Sequence, residues 1–485
     1  MSKRPIILAL ALGAAWAPAC AATDTDTSAS TTGTPAPPRL IATTGVTIKE
    51  IALYQAVKRP LMVAGMPATS DTPIVAGRDA LLRVFVDVDA SHELIARIYL
   101  DEDPTPIEIK QTIAESSTDA KLDSTLNFDI PGAKLTPTTK YRIAVGELEI
   151  VPSSALAAPT YPATGSDPIP AESVGETLKI VLAPISYKGV VPKLTEELIK
   201  QYTDAFYAMY PTPKVELTVR AEPIVWTQTV SPNGFGWSEL LDHVAQVRMQ
   251  DKVGKDVYYY APLTPTPSVG QFCGGGCVAG LGMLGAPGDS YARASIGLAY
   301  GDPDSIVTAL HETGHNHGRE HAPCFVDPSD TDPKFPHMDG ENGVWGYNLL
   351  TKELFEPTRK DVMGYCPKIW ISDYTFKGLF DRIKLVNAAK RVIVPEAERN
   401  RLYDRALVRA DGTVKWLSSI RLEEPPAAEE KSIVVESAGL TETVQGSFYR
   451  FDHLEGGIAF WPASERQTRA IRIDVAAGKT VRLSQ

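Results

Sequence analysis

From Leu40 to about Ser173, hydrophobic and polar positions alternate in short stretches broken by Pro, Gly and Asp. Ala80 to Val88 and Tyr141 to Val145, rich in β-branched and aromatic residues, read as strands, and the regular spacing of such stretches predicts a β-sandwich. The Pro-rich stretch Ala158 to Pro170 reads as a linker. Beyond it the rhythm changes. Leu178 to Ala183, Val215 to Arg220 and Asp256 to Ala261 have strand character, whereas Thr195 to Met209 and Ser238 to Val247 carry apolar residues at helical spacing. This alternation predicts a sheet with crossing helices. A later helical stripe, Phe376, Leu379, Phe380 and Ile383, follows Ser372-Asp373. After about Arg391 strands return at Ala406 to Ala410, Val414 to Leu417, Ser432 to Glu436, Ser447 to Asp452 and Ile471 to Val475, with Asp411-Gly412 as a hairpin signal.

A chain of 485 residues exceeds one ordinary core, so these shifts of pattern are expected to separate domains at 39–173, 174–390 and 391–485. The net charge of −11 argues against nucleic acid or an anionic membrane surface as the main partner. At the N-terminus, Lys3 and Arg4 precede the apolar Ile6 to Trp16 and the small-residue end Ala17 to Cys20, the pattern of an export signal over residues 1–20. Cleavage near Ala19 or Ala22 and lipidation of Cys20 are the two routes open. Five cysteines favour lipidation, because modifying Cys20 leaves an even four for an exported protein. Residues 21–38, poor in bulky apolar side chains, read as a flexible linker. Membrane contact is expected only through such an anchor, on a secreted or cell-surface protein.

The densest chemistry lies in His311-Glu312-Thr313-Gly314-His315-Asn316-His317-Gly318-Arg319-Glu320-His321. Asp302 or Asp304 can cap a helix running through Ile306, Val307 and Leu310. On it, His311 and His315 stand about 40° apart around the axis, one turn apart, as two ligands of one zinc ion require. Glu312 lies about 100° away, beside the ion, where a carboxylate can act as a base towards water. A continued helix would carry His321 roughly 9 Å along the axis and out of reach. Gly318 can end the helix in the left-handed conformation and let His321 return as third ligand. Three protein ligands leave one open position, the pattern of a catalytic zinc. A bare HExxH arises by chance; the full HExxHxxGxxH does so in roughly one such chain in 10⁵.

With that motif in place, the chain resembles the metzincin metallopeptidases. The resemblance covers about Glu176 to Lys390 and leaves the subfamily unassigned. It extends to Asp361-Val362-Met363-Gly364-Tyr365, where Met363 stands as the Met-turn beneath the imidazoles and Tyr365 where some members place a zinc-binding or oxyanion-stabilising tyrosine. Ordinary core packing is the plain alternative for Met363. The resemblance implies a central metzincin α/β catalytic domain, which with the strand patterns on either side makes a multidomain α+β chain: an N-terminal β-sandwich, that catalytic domain and a small C-terminal all-β domain. It further implies a zinc-dependent endopeptidase acting on extracellular protein or peptide, with Glu312 as general base. An exported zinc-containing binding or adhesion module without turnover is the alternative.

If the zinc motif and the Met-turn meet at one ion, Cys324 and Cys366 come close enough for a disulfide. Cys273 and Cys277 enclose three glycines and suggest a second, small-loop bridge, with free thiols or zinc ligation as alternatives that an exported context disfavours. Val278 to Leu284 is a candidate edge strand for a substrate peptide. His317 falls off the ligand face and reads as a polar surface residue. The acidic run Asp327 to Glu341 reads as a solvated loop; calcium is possible chemistry for it, but its spacing is not that of an EF-hand.

Overall fold

In the computed structural model of the chain, the alternating stretches of the N-terminal third pair into two antiparallel sheets. Residues 38–151, 153–389, 396, 399–409, 411–437, 440–464, 468–476 and 479–484 are described. The export signal, Cys20, nearly all of the 21–38 linker and the expected 390/391 boundary lie outside the described residues. One sheet contains, in order, Leu40–Ile41, Lys140–Leu148, His92–Leu100 and Ile107–Ile113. The other contains Leu126–Ile130, Ala80–Val88, Val46–Tyr54 and Ala56–Val63. Their inward positions, among them Leu82, Val84, Ile98, Phe128 and Ile143, form one apolar cluster, as period-two patterning requires. The stretch expected as a linker is partly paired, Thr160–Tyr161 and Asp167–Pro168 both adding to the Lys140–Leu148 strand.

Behind this layer the strands Val215–Val219, Leu178–Leu182, Val257–Leu263 and Ala294–Leu298 lie side by side and parallel, with Gly280–Gly282 antiparallel at the edge. Five α-helices occur among the described residues: α1 (Glu196–Met209), α2 (Trp237–Gln250), α3 (Val269–Cys273), α4 (Pro303–Asn316) and α5 (Asp373–Ala389). Three of the four long ones start at a side-chain cap, and α2 starts after Gly236 instead. Thr195 accepts from Leu198 N in α1, Asp302 from Ser305 N in α4, and Ser372 from Thr375 N in α5. The two layers are stitched together. Gly346–Asn348 adds to Ala56–Val63 of the N-terminal sheet, and the buried Arg78 guanidinium donates to the carbonyls of Tyr207, Tyr210 and Thr212 around the end of α1.

The expected fold class does not hold. Strand accounts for 39% of the chain and helix for 18%, so the protein is mostly β rather than an α+β chain centred on a metzincin α/β catalytic domain. The physical reason is that periodicity finds the long helices but not the balance of the whole. Many of the strands are two or three residues long and arise only through tertiary pairing, as at Gly346–Asn348.

The C-terminal part of the chain forms a seven-stranded antiparallel sheet that begins with the Arg401–Val408 and Val414–Leu422 hairpin and includes Leu440–Arg450 and Gly457–Pro462. One face keeps its own cluster of Ala406, Ile433, Phe448 and Trp461. The other face, Leu407, Tyr449, Phe451, Ile458 and Phe460, joins Trp237 and Leu241 of α2, Met283 and Tyr291 in a common core. Within that interface Arg405 donates to Asp242 at 2.5 Å and to Ser418 O at 2.9 Å, with both charged side chains almost fully buried. No described helix is long and apolar enough to cross a membrane.

Two expectations follow from these contacts. Arg405→Ala leaves Asp242 charged and buried without its ion-pair partner, so it destabilises by about 3–5 kcal/mol in urea unfolding, while the double variant Arg405→Met with Asp242→Leu recovers most of the loss. The second concerns His337, which pairs with Asp373 at 2.6 Å where the 327–341 segment meets α5. That hydrogen bond raises the imidazole above its ordinary 6.5. The resulting stabilisation is complete below the unfolded-state value and is lost as pH rises through the raised one. The urea midpoint of wild type should exceed that of His337→Gln more at pH 6 than at pH 9.

Candidate metal centre

The centre is assembled on α4 and the two segments that return to it. Asp302 and Pro303 start the helix, and its last two turns carry His311, Glu312 and His315, all buried. Gly318 then takes φ +76°, a backbone conformation that favours glycine, with the Arg382 guanidinium packed against it. The chain reverses and brings back His321, which forms a parallel bridge with Thr331. The second segment lies beneath. Ala322 N donates to Met363 O, and a Cβ on Gly314 would lie 2.5 Å from Met363 Sδ, so the thioether packs directly under the helix. Asp361 fixes this turn by accepting from Met363 N and Ser372 N, both at 2.8 Å. The Cys324–Cys366 disulfide ties the two segments together, and Cys273–Cys277 closes the glycine loop.

Hydrogen bonding determines which imidazole nitrogens are available. His311 Nδ1 faces Val362 O at 2.8 Å, His315 Nδ1 faces Arg319 O at 2.6 Å, and His321 Nδ1 faces Asp330 O at 3.2 Å. A carbonyl can only accept, so each Nδ1 carries the proton and each Nε2 presents a lone pair. Burial, reinforced by the neighbouring imidazoles, pushes His311 and His315 far down and takes His321 to about 4. All three rings are therefore neutral at pH 7. Yet His311 Nε2 and His315 Nε2 stand 3.0 Å apart. Two lone pairs at that distance repel unless a cation lies between them. The donor set thus fits a divalent metal ion, and imidazole nitrogen suits zinc.

A fourth histidine comes from the C-terminal sheet. His453 follows Asp452 in the turn between Leu440–Arg450 and Gly457–Pro462, and its ring nitrogen lies within 4.8 Å of the donors of His311, His315 and His321. Its Nε2 meets Glu312 Oε1 at 2.9 Å, and its Nδ1 meets the Tyr365 hydroxyl. Burial alone would lower His453, but Asp452 and Glu312 outweigh it and raise the ring to about 9. Both of its ring nitrogens are thus engaged beside the centre. Burial and the nearby Asp452 raise Glu312 well above the carboxylate range, with His453 opposing them. Tyr365 Oη also lies 3.0 Å from His321 Nε2, so the phenol borders the centre.

The sequence-derived residues His311, Glu312, His315, His321, Met363 and Tyr365 thus lie together, with both cysteine pairs bonded. His317 departs from expectation. It is off the ligand face, but the Val257–Leu263 strand covers that side, so its ring stacks on Tyr258 at 4.1 Å and is buried rather than exposed. The acidic run is partly used as well, since Asp332 accepts from Arg319 and Tyr374. Asp452 and His453 are additions. Their signal in the sequence is slight: the last of eight histidines, preceded by Asp at the end of a predicted strand.

Gly280–Gly282 crosses directly above Glu312. A Cβ on Gly280 would fall 2.2 Å from Glu312 Oε1, which explains the glycine at this strand position. An open cavity of about 690 Å³ runs from Cys277 and Gly280 past Glu312 and His311 to Tyr365 and Ile369. No family model and no curated protein matches the chain. What stands is a buried His-rich group, with acidic neighbours, able to bind a metal ion, in a chain whose two disulfides are compatible with an extracellular protein.

Metal analysis of purified protein should find one divalent ion per chain. His321→Ala should weaken zinc binding more than about 100-fold in competition with a chromogenic chelator, since ligand loss exceeds loss of an outer-shell partner.

Proposed function

We propose that the centre holds zinc and that the protein is an exported zinc-dependent peptidase, of metzincin type in its motif residues alone. The observation that carries this reading is the position of Glu312. Its carboxylate lies beside the three-imidazole cluster, held at Oε1 by His453, with Oε2 buried and taking no hydrogen bond. A carboxylate so placed, with its proton affinity raised by burial, suits general-base work.

A zinc ion bound here would supply Lewis acidity towards water and a carbonyl oxygen. The chain's own groups do the rest. Glu312 takes a proton from the attacking water as its oxygen bonds to the carbonyl carbon. It then delivers that proton to the amide nitrogen as the C–N bond breaks, so that the products are a carboxylic acid and an amine. Tyr365, kept protonated by burial and nearby carboxylates and 3.0 Å from His321 Nε2, is the group that can donate a hydrogen bond to the oxygen that gains negative charge. The exported location rests on the N-terminal signal pattern, with Cys20 as the lipid attachment point.

Glu312→Gln should keep one zinc ion while hydrolysis of denatured casein falls by roughly 10²–10⁴-fold. Gly280→Ala, which displaces Glu312 without touching a ligand, should likewise retain zinc and lose activity. Unchanged turnover in Glu312→Gln contradicts the mechanism.

A further inference from the structure

Four rings surround the centre at nearly equal spacing. The centroids of His311, His315 and His321 stand 4.6 to 5.3 Å from one another, and the centroid of His453 stands 5.2, 5.5 and 4.9 Å from theirs. Four points almost equidistant in every pair form a near-regular tetrahedron, since a square or a row makes some pairs much longer than others. One donor nitrogen of each ring lies within 4.8 Å of the other three. A tetrahedral set of four donors is the arrangement zinc prefers.

The hydrogen bonds of His453 leave one lone pair for that role. Its Nε2 lies 2.9 Å from Glu312 Oε1 and 3.3 Å from Asp452 Oδ2. Carboxylate oxygens accept, so Nε2 carries the proton, and in the neutral ring Nδ1 holds the lone pair. A ligating histidine is ordinarily held in this way, one nitrogen bound to a carboxylate and the other turned to the ion. Asp452 is itself fixed, because Gly282 N donates to its Oδ1 at 2.9 Å. His453 Nδ1 meets the Tyr365 hydroxyl, and His321 Nε2 meets the same hydroxyl at 3.0 Å. A phenol has one proton and cannot satisfy two lone pairs, whereas a cation among the rings can. The positive charge that the two carboxylates would otherwise draw onto His453 as a proton then comes from the ion, because metals bind the neutral imidazole.

The four donors come from two parts of the fold. His311, His315 and His321 belong to α4 and the reversal at Gly318. His453 comes from the C-terminal sheet, whose Tyr449, Phe451 and Ile458 are buried in the core shared with Trp237 and Met283. We propose that His453 is a fourth protein ligand of the ion, so that the metal clasps the C-terminal sheet to α4. This rests on the zinc half of the reading above and not on the peptidase half. Under the peptidase half, turnover needs zinc to take more than four ligands, as catalytic zinc can.

The test uses the purified full chain and zinc alone. His453→Gln keeps an N–H for Glu312 but is a poor metal ligand. Its zinc affinity, in competition with a chromogenic chelator, should fall more than about 100-fold. A fall of about 100-fold or less, the range of outer partners, overturns the assignment. Cobalt(II) in place of zinc gives a second readout. His453→Gly should alter the visible spectrum of the cobalt-loaded chain, and added imidazole should restore it; an unaltered spectrum overturns the proposal. Hydrogen exchange of wild type needs no substitution. Stripping zinc should raise exchange in peptides covering 449–458 as well as in α4, and loosening of α4 alone overturns the clasp. If these results hold and casein is not cut, the peptidase reading fails and the fourth ligand stands. Wild type that binds no zinc overturns both.

Discussion

Three imidazole lone pairs are forced to face one another, and much of the surrounding architecture exists to keep them there. Neutral rings whose Nε2 atoms approach to 3.0 Å do not choose that arrangement unaided. It is imposed by three backbone carbonyls, those of Val362, Arg319 and Asp330, which hold the opposite nitrogens. Each carbonyl belongs to a different device: the turn carrying Met363, the reversal at Gly318 and the loop bridged to His321. Asp361 and the Cys324–Cys366 disulfide then hold the devices in register. The result is a preorganised donor set, in which outer partners fix the tautomer of each ligand.

The C-terminal sheet completes the centre rather than standing apart from it. Its inner face shares a core with α2 and the 294–298 strand, and the buried Arg405–Asp242 pair makes the union specific. From that base a short turn delivers Asp452 and His453. An imidazole beside Glu312 changes the electrostatics of that carboxylate, and the same turn takes up part of the Gly280–Gly282 strand edge. One structural feature therefore sets both the chemistry and the reach of the cleft.

Legibility from the sequence followed the distance over which each interaction acts. His311, Glu312 and His315 were readable because one helical turn fixes their geometry, and His321 because Gly318 announces the bend. His317 was misjudged, since helical spacing tells which face a residue occupies but not that Tyr258 covers it. His453 meets Glu312 across 141 positions, and no local pattern encodes such a contact. The fold class failed for a related reason. Short strands such as Gly346–Asn348 exist only because a distant strand accepts them, so the weight of β structure appears only in the assembled chain.

X-ray absorption spectroscopy of the zinc-loaded full chain tests the central claim most directly. Convergence of His311, His315 and His321 predicts a first shell containing three imidazole nitrogens at about 2.0 Å and no sulfur. A shell with sulfur ligands, or with fewer than three imidazoles, would contradict it.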